Sequence, residues 1–218
     1  MDRKNYIYIF LVIMATIVVC SLAIAFAYIG RPTISGNTNT NVTINGGAAT
    51  FSYTGSSSLS IAINTTNDEL SSANASNSYT SYIESSSATT TVSLTTNASL
   101  APKGMTCPYT IIYTPSTAYT QSSGATSAGL RELVITATDG SSNYEKSIAG
   151  SNVVTLVSNA SIATSSSTTS KSTTWTFKMR FYNLNVDQES VIGRVPSGTI
   201  SITNGECEAN SWEINYYM

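Results

Sequence analysis

With 218 residues, a net charge of −2 and no histidine, the chain rules out several chemistries at once. Ser-His-Asp and Cys-His arrangements and His-containing zinc sites are impossible, and no basic cluster beyond the first few residues offers a nucleic-acid surface. Only 10% of residues are charged, against a usual ~25%; Ser and Thr fill the gap, which suits solvent-facing strand positions and loops.

The first element is an uncharged apolar run from Tyr6 to Ile29, behind Arg3 and Lys4. It is longer than the ~20 residues that span a bilayer core as helix. The two basic residues hold the N-terminus on the cytoplasmic side, so the rest of the chain is carried across. Two readings stay open. Length favours a retained signal-anchor, a transmembrane helix; the small-x-small patterns Ala23-Ile24-Ala25 and Ala25-Phe26-Ala27 favour a cleaved signal peptide. Cys20 reads as a small apolar residue of that run, because Val18-Val19 precede it where a lipidated cysteine needs a small neighbour. The C-terminal residues Trp212 to Met218 carry no second hydrophobic tail and no wall-sorting motif. The expected location is the cell membrane, single-pass, with the C-terminal domain extracellular, or secreted if the signal is cut.

This divides the chain into a signal segment (1–30), a linker or first strand (31–48) and an ectodomain (49–218). Pro102-Lys103-Gly104 is a candidate internal boundary, but neither half has enough apolar strands for its own sandwich, which favours one domain. Period-2 alternation recurs through the ectodomain and helical periodicity does not. It predicts strands at Ala49–Tyr53, Leu59–Asn64, Thr90–Thr95, Pro108–Thr114, Leu130–Thr138, Asn143–Ile148, Val153–Val157, Thr174–Asn183, Gly198–Thr203 and Ser211–Tyr217. In Thr174–Asn183 the alternation is clearest: Trp175, Phe177, Met179 and Phe181 point one way, Thr176, Lys178, Arg180 and Tyr182 the other. Asp139-Gly140-Ser141-Ser142 is a turn signal that makes its flanking strands a hairpin. Three polar stretches, Ser71–Ser87, Ser116–Gly129 and Ser158–Thr173, read as loops, and Asn67–Ala75 as a helical turn or two. The fold class expected is all-β: an antiparallel β-sandwich or jelly roll behind one N-terminal helix.

Cys107 and Cys207 lie beyond the membrane, where disulfides persist. Closing a loop of about 100 residues is worth ~4.7 kcal/mol in the chain-entropy model, and a Cys107–Cys207 bond is expected. No motif calls for a cofactor. Asn183, Asn185, Asp187 and Glu189 place oxygen side chains at every second position, the donor type calcium takes. The run has only two carboxylates and lacks the EF-hand glycine, so a strand end running into a polar turn is the simpler reading. Glu206 and Glu208 flank Cys207; with Asp187 they are the carboxylates a hydrolase would use, and as edge charges they would discourage strand pairing.

Asn-x-Ser/Thr sequons at Asn41, Asn64, Asn74, Asn97 and Asn159 are no more than chance supplies in a chain so rich in Ser and Thr. Tyr79, Tyr82, Tyr109, Tyr113, Tyr119, Tyr144, Tyr182, Tyr216 and Tyr217 suit strands, and equally a contact surface. Trp175 belongs to a core pattern; Trp212 is the better candidate for stacking on a sugar. Lys103, Lys146 and Lys178 are candidates for isopeptide bonds, with no motif naming an Asn partner.

The run ending Ala25-Phe26-Ala27-Tyr28, the segment Ala49-Thr50-Phe51-Ser52-Tyr53, the stretch Trp175 to Leu184 and the closing Gly205-Glu206-Cys207 resemble small exported proteins of Gram-positive and cell-wall-less bacteria. More distantly, the signal ending and strand pattern resemble the TasA and camelysin group. That resemblance implies an exported jelly roll, some members of which assemble into fibres; it transfers no functional residue. The function expected is that of a non-enzymatic surface protein, structural or adhesive, with a strand around Pro32–Thr43 available to complement a neighbour. The alternatives are a carbohydrate- or ligand-binding module and, remotely, a carboxylate-based hydrolase. The partners expected are the membrane, a further copy of the chain or a surface glycan.

Overall fold

A computed structural model describes residues 42–45 (backbone path only), 48–55, 58–64 and 79–210. The apolar run 6–29, the helical turn expected at 67–75 and the strand expected at 211–217 lie outside the described residues. Among the described residues no helix is long and apolar enough to cross a membrane.

Two antiparallel sheets stack face to face. The first has seven strands, in spatial order β1 (Val42–Asn45), β2 (Ala49–Gly55), β5 (Ala88–Thr96), β10 (Ser170–Tyr182), β7 (Leu133–Thr138) and β8 (Asn143–Ser147). The seventh, β4 (Tyr82–Glu84), continues the β5 side of β10 at its C-terminal end. The second sheet runs β3 (Ser58–Ser60), β11 (Ser197–Asn204), β6 (Met105–Pro115), β9 (Val154–Ala163), with β12 (Glu208–Ala209) on the first residues of β6. A five-residue helix, α1 (Ser123–Ser127), and a 3-10 turn, Glu189–Val191, complete the described elements. The all-β sandwich read from the alternation is thus the architecture found.

One apolar core fills the space between the sheets, from Phe51 on β2 to Ile202 on β11. Trp175, Phe177, Met179 and Phe181 all point into it, as their parity required. Trp175 Nε1 donates to the Tyr109 hydroxyl at 2.9 Å, so the indole's polar edge is matched inside the core. Burial pushes the Tyr113 phenol up to about 12. Its ring lies against Gly198, where a Cβ would meet ring carbons at 2.3 Å. Only glycine lets β11 and the Tyr113 ring come this close. Cys107 and Cys207 form the expected disulfide, tying the segment after β11 back onto β6.

Several expected loops are ordered differently. The Ser158–Thr173 stretch is mostly strand: β9 runs on to Ala163 and β10 begins at Ser170. A bulge hides this from a period-2 reading. Leu156 and Val157 are both buried, Asn159 takes a left-handed φ of 56°, and the inward parity resumes at Ile162. The Ser116–Gly129 stretch contains α1, capped by the Ser122 side chain on Ala125 N–H. The Ser71–Ser87 stretch contains β4. Leu130–Thr138 is strand only from Leu133 onward: the Glu132 carbonyl still accepts from Tyr182 N–H of β10, but Leu130 N–H donates to the Ala125 carbonyl of α1.

On the outer face of the first sheet, β2, β5 and the first half of β10 carry Ser and Thr in ranks. Thr54, Thr91 and Thr174 form one rank, Ser52, Ser93 and Ser172 the next, Thr50, Thr95 and Ser170 the third. Thr91–Thr174 and Ser93–Ser172 hydroxyls bond across strands at 2.9 Å, Thr95–Ser170 at 3.1 Å. The high Ser and Thr content is therefore partly a solvated sheet face.

Candidate functional site

The other end of that same outer face is built differently. Here β7 and β10 bury both faces, because α1 and the 183–188 segment fold over Val134, Tyr182 and Leu184 to form a small second core. Its polar centre is Glu132, which is fully buried. Glu132 Oε2 accepts from the Tyr119 hydroxyl at 2.8 Å and from Ser122 N–H at 2.9 Å; Oε1 accepts from Ser122 Oγ at 2.6 Å and Gln188 Nε2 at 3.0 Å. Gln188, also fully buried, accepts from Leu184 N–H at 2.8 Å and donates to the Tyr182 carbonyl at 3.0 Å. One carboxyl group thus fastens the 116–130 loop and the 183–188 segment to the sheet, with four donors matched. Burial first, then the adjacent Glu132, push the Tyr119 phenol far above its ordinary value, so Tyr119 is a fixed donor.

Beside this centre runs a row of stacked side chains. The Arg131 guanidinium lies 4.7 Å from the Tyr79 ring centroid, Tyr79 packs edge-on to Tyr182 at 4.9 Å, Tyr182 packs edge-on to Tyr82 at 5.8 Å, and Arg180 lies 4.7 Å from Tyr82. Two carboxylates brace the row. Glu145 accepts from Arg131 at 2.7 Å and from the Tyr182 hydroxyl at 2.9 Å; Glu84 accepts from Arg180 at 2.7 Å and from Lys178. Burial raises the Glu84 carboxyl, but the bonds and charges of Lys178 and Arg180 outweigh it and hold it below its ordinary value. Tyr79 sits in the left-handed region at φ 56°, uncommon for a bulky residue. Tyr82 is 42% exposed, which makes it the accessible ring of the row.

The sequence candidates are dispersed. Asn183 is buried and bonds Ser81, whereas Asn185, Asp187 and Glu189 face solvent. Their every-second spacing is that of an extended segment whose inward positions are Leu184, Val186 and Gln188. Asp187 Oδ1 accepts from Glu189 N–H at 2.9 Å, closing a local turn. Among the described residues no three of His, Cys, Asp and Glu gather as a metal site. Glu206 and Glu208 are both exposed at the β12 edge. Tyr53, Tyr109, Tyr113 and Tyr119 belong to the core, and Tyr144 packs at its edge against Trp175 at 5.9 Å. Lys178 is paired with Glu84, and Lys146 is exposed on β8. Trp212, Tyr216 and Tyr217 lie outside the described residues. Sequence reasoning passed over Glu132 and the Arg131–Tyr79–Tyr182–Tyr82–Arg180 row. The available signal was Leu133-Val134-Ile135, apolar at both parities, which marks a strand covered on both faces.

No family model matches the chain, and no curated protein matches it. Among solved structures, a chain from the structure of infectious bursal disease virus Gx strain is similar over 80% of this chain and 36% of its own length, at 9% identity and a TM-score of 0.31. The present chain therefore spans about a third of that viral chain, and a likeness at this level carries no argument about fold or function.

Proposed function

We propose that the chain is an exported, non-enzymatic surface protein, held at the membrane by the Tyr6–Ile29 segment, whose ectodomain from residue 49 onward acts by contact as a structural or adhesive subunit. The observation that carries this reading is the Cys107–Cys207 bond, of a kind that persists on the oxidising side of a membrane. The repeated crossing of the chain between the two sheets, at β2–β3, β5–β6, β8–β9 and β10–β11, supports the finer description of the sandwich as a jelly-roll variant, in keeping with the resemblance to the TasA and camelysin group. Among the described residues β1 pairs only with β2, and such a sheet edge is where another copy could add a strand. The test is electron microscopy of cell surfaces and of purified full-length protein, with light scattering. Filaments or large assemblies support the structural subunit; strict monomers at high concentration, with bare cell surfaces, sink the fibre version.

A second reading, a carbohydrate- or ligand-binding module, is favoured by Tyr82, an exposed ring backed by Arg180 with hydroxyl ladders on the same sheet face. It moves the stacking candidate from Trp212 to Tyr82. A glycan array read with the wild type and Tyr82→Ala tests it: retention lost in the variant supports the reading, and no retention by the wild type removes it.

A further inference from the structure

We propose that Asn97 is the acceptor of an N-linked glycan, an inference that rests on the export reading above. The sequons cannot be ranked by their number, but their geometry separates them. Asn97 lies in the turn between β5 and β6, exposed together with Ala98 and Ser99. The backbone there is fixed: Asn97 N–H donates to Ala48 O at 2.9 Å, and its carbonyl accepts from Leu100 and Ala101 N–H at 3.0 and 2.8 Å. Its side-chain Oδ1 accepts from Ser99 N–H at 3.0 Å, the Asx geometry. That bond engages the oxygen of the amide and leaves Nδ2 as the remaining polar atom of an exposed side chain, with Ser99 exposed on the same turn. A transferase must reach both the amide nitrogen and the hydroxyl two residues on, and this turn presents them together.

The other described sequons present their groups less well. Asn159 is exposed, but its backbone is held at φ 56° by the β9 bulge, and Ala160 and Ser161 are paired with Tyr109 and Pro108 of β6. That tripeptide cannot adopt a compact turn without opening the ladder. Asn64 is exposed, and its Thr66 lies outside the described residues.

The donor required is a polyisoprenyl-phosphate-linked oligosaccharide. The Asn97 Nδ2–C1 bond forms as the C1–O bond to phosphate breaks; the lipid phosphate leaves, and the Nδ2 proton passes to a base of the transferase. The product is a neutral, bulky, solubilising group on the surface.

The test uses full-length protein from the membranes of its own cells. Cleavage after Glu84 and Lys103 releases peptide 85–103, which holds Asn97 as its sole sequon. Mass spectrometry should find this peptide heavier by a saccharide, with the increment lost in Asn97→Gln and Ser99→Ala and kept in Ser99→Thr. An unmodified peptide overturns the proposal, and so does an increment that survives Asn97→Gln, which would place the sugar on a Ser or Thr. Intact cells are treated in parallel with a membrane-impermeant amine reagent. Labelling at Lys146 with an unmodified Asn97 overturns the glycan alone; an unlabelled chain removes the export reading and the glycan with it.

Discussion

The two ends of one sheet face are built on opposite terms. Toward Ser170, the outer side of β10 meets water through Thr174, Ser172 and Ser170, each bonded to a hydroxyl on β5. Toward Tyr182, the same strand passes under α1 and the 183–188 segment, where Glu132 and Gln188 are fully buried. Hydroxyl pairs in water exchange one set of hydrogen bonds for another and contribute little. A buried carboxyl group with four donors is different: removing it strands every donor at once. A single strand therefore carries an expendable end and a committed one.

The largest effect that would sharpen this contrast is expected from Glu132→Ala. It leaves Tyr119, Ser122 and Gln188 without their acceptor and should cost about 4 kcal/mol in thermal or denaturant unfolding. A loss under about 1 kcal/mol would erase the distinction between the two ends. Leu184→Ala, in the small second core, should cost about 3 kcal/mol by cavity formation, measured the same way.

A smaller, pH-dependent effect should come from Glu84. Its folded pKa lies below the ordinary 4.5, so its contribution is complete above 4.5 and is lost as pH falls through the folded value. Glu84→Gln should therefore be less stable than wild type at pH 7, with the gap closing toward pH 3. A gap of constant size across that range would show that the Lys178–Glu84–Arg180 cluster is not coupled to folding. At the bottom of the scale, Thr174→Val should change stability by no more than about 0.5 kcal/mol, since valine suits a strand and the lost bond faces water. A loss comparable to Leu184→Ala would mean that the ladder face is covered by something in solution.

Much of the inner face was legible from alternation, and much of the outer face was not. Trp175 to Phe181 declare a half-buried strand because neighbours of opposite polarity alternate without interruption. The start of β10, Ser170 to Thr173, is polar at both parities because its inward positions, Lys171 and Thr173, lie where the sandwich opens to solvent. The far half of β9 escaped because two irregularities in its pairing with β6, between Thr155 and Ala160, interrupt the alternation. Helix α1 escaped because Ser-Gly-Ala-Thr-Ser has little helix propensity; it is held by the Ser122 cap and, through Ser122, by Glu132. Of the candidate site, each tyrosine and arginine was visible, but their stacking depends on the register of Tyr82 with Tyr182 and of Glu84 with Arg180, a long-range pairing that no local pattern encodes. The disulfide was legible because, with Cys20 inside the apolar run, the two remaining cysteines leave one pairing.

The Cys107–Cys207 bond also decides how the domain bears force. Strand β11 has no covalent link to its neighbours; ladder bonds to β6 and β3 and the packing of Ile200 and Ile202 hold it, and such a strand can be peeled from its end. Tension applied beyond residue 207 does not reach β11 first. Once β12 has parted from β6, the load passes through the covalent link into β6, which is flanked by β9 on one side and by β11 on the other.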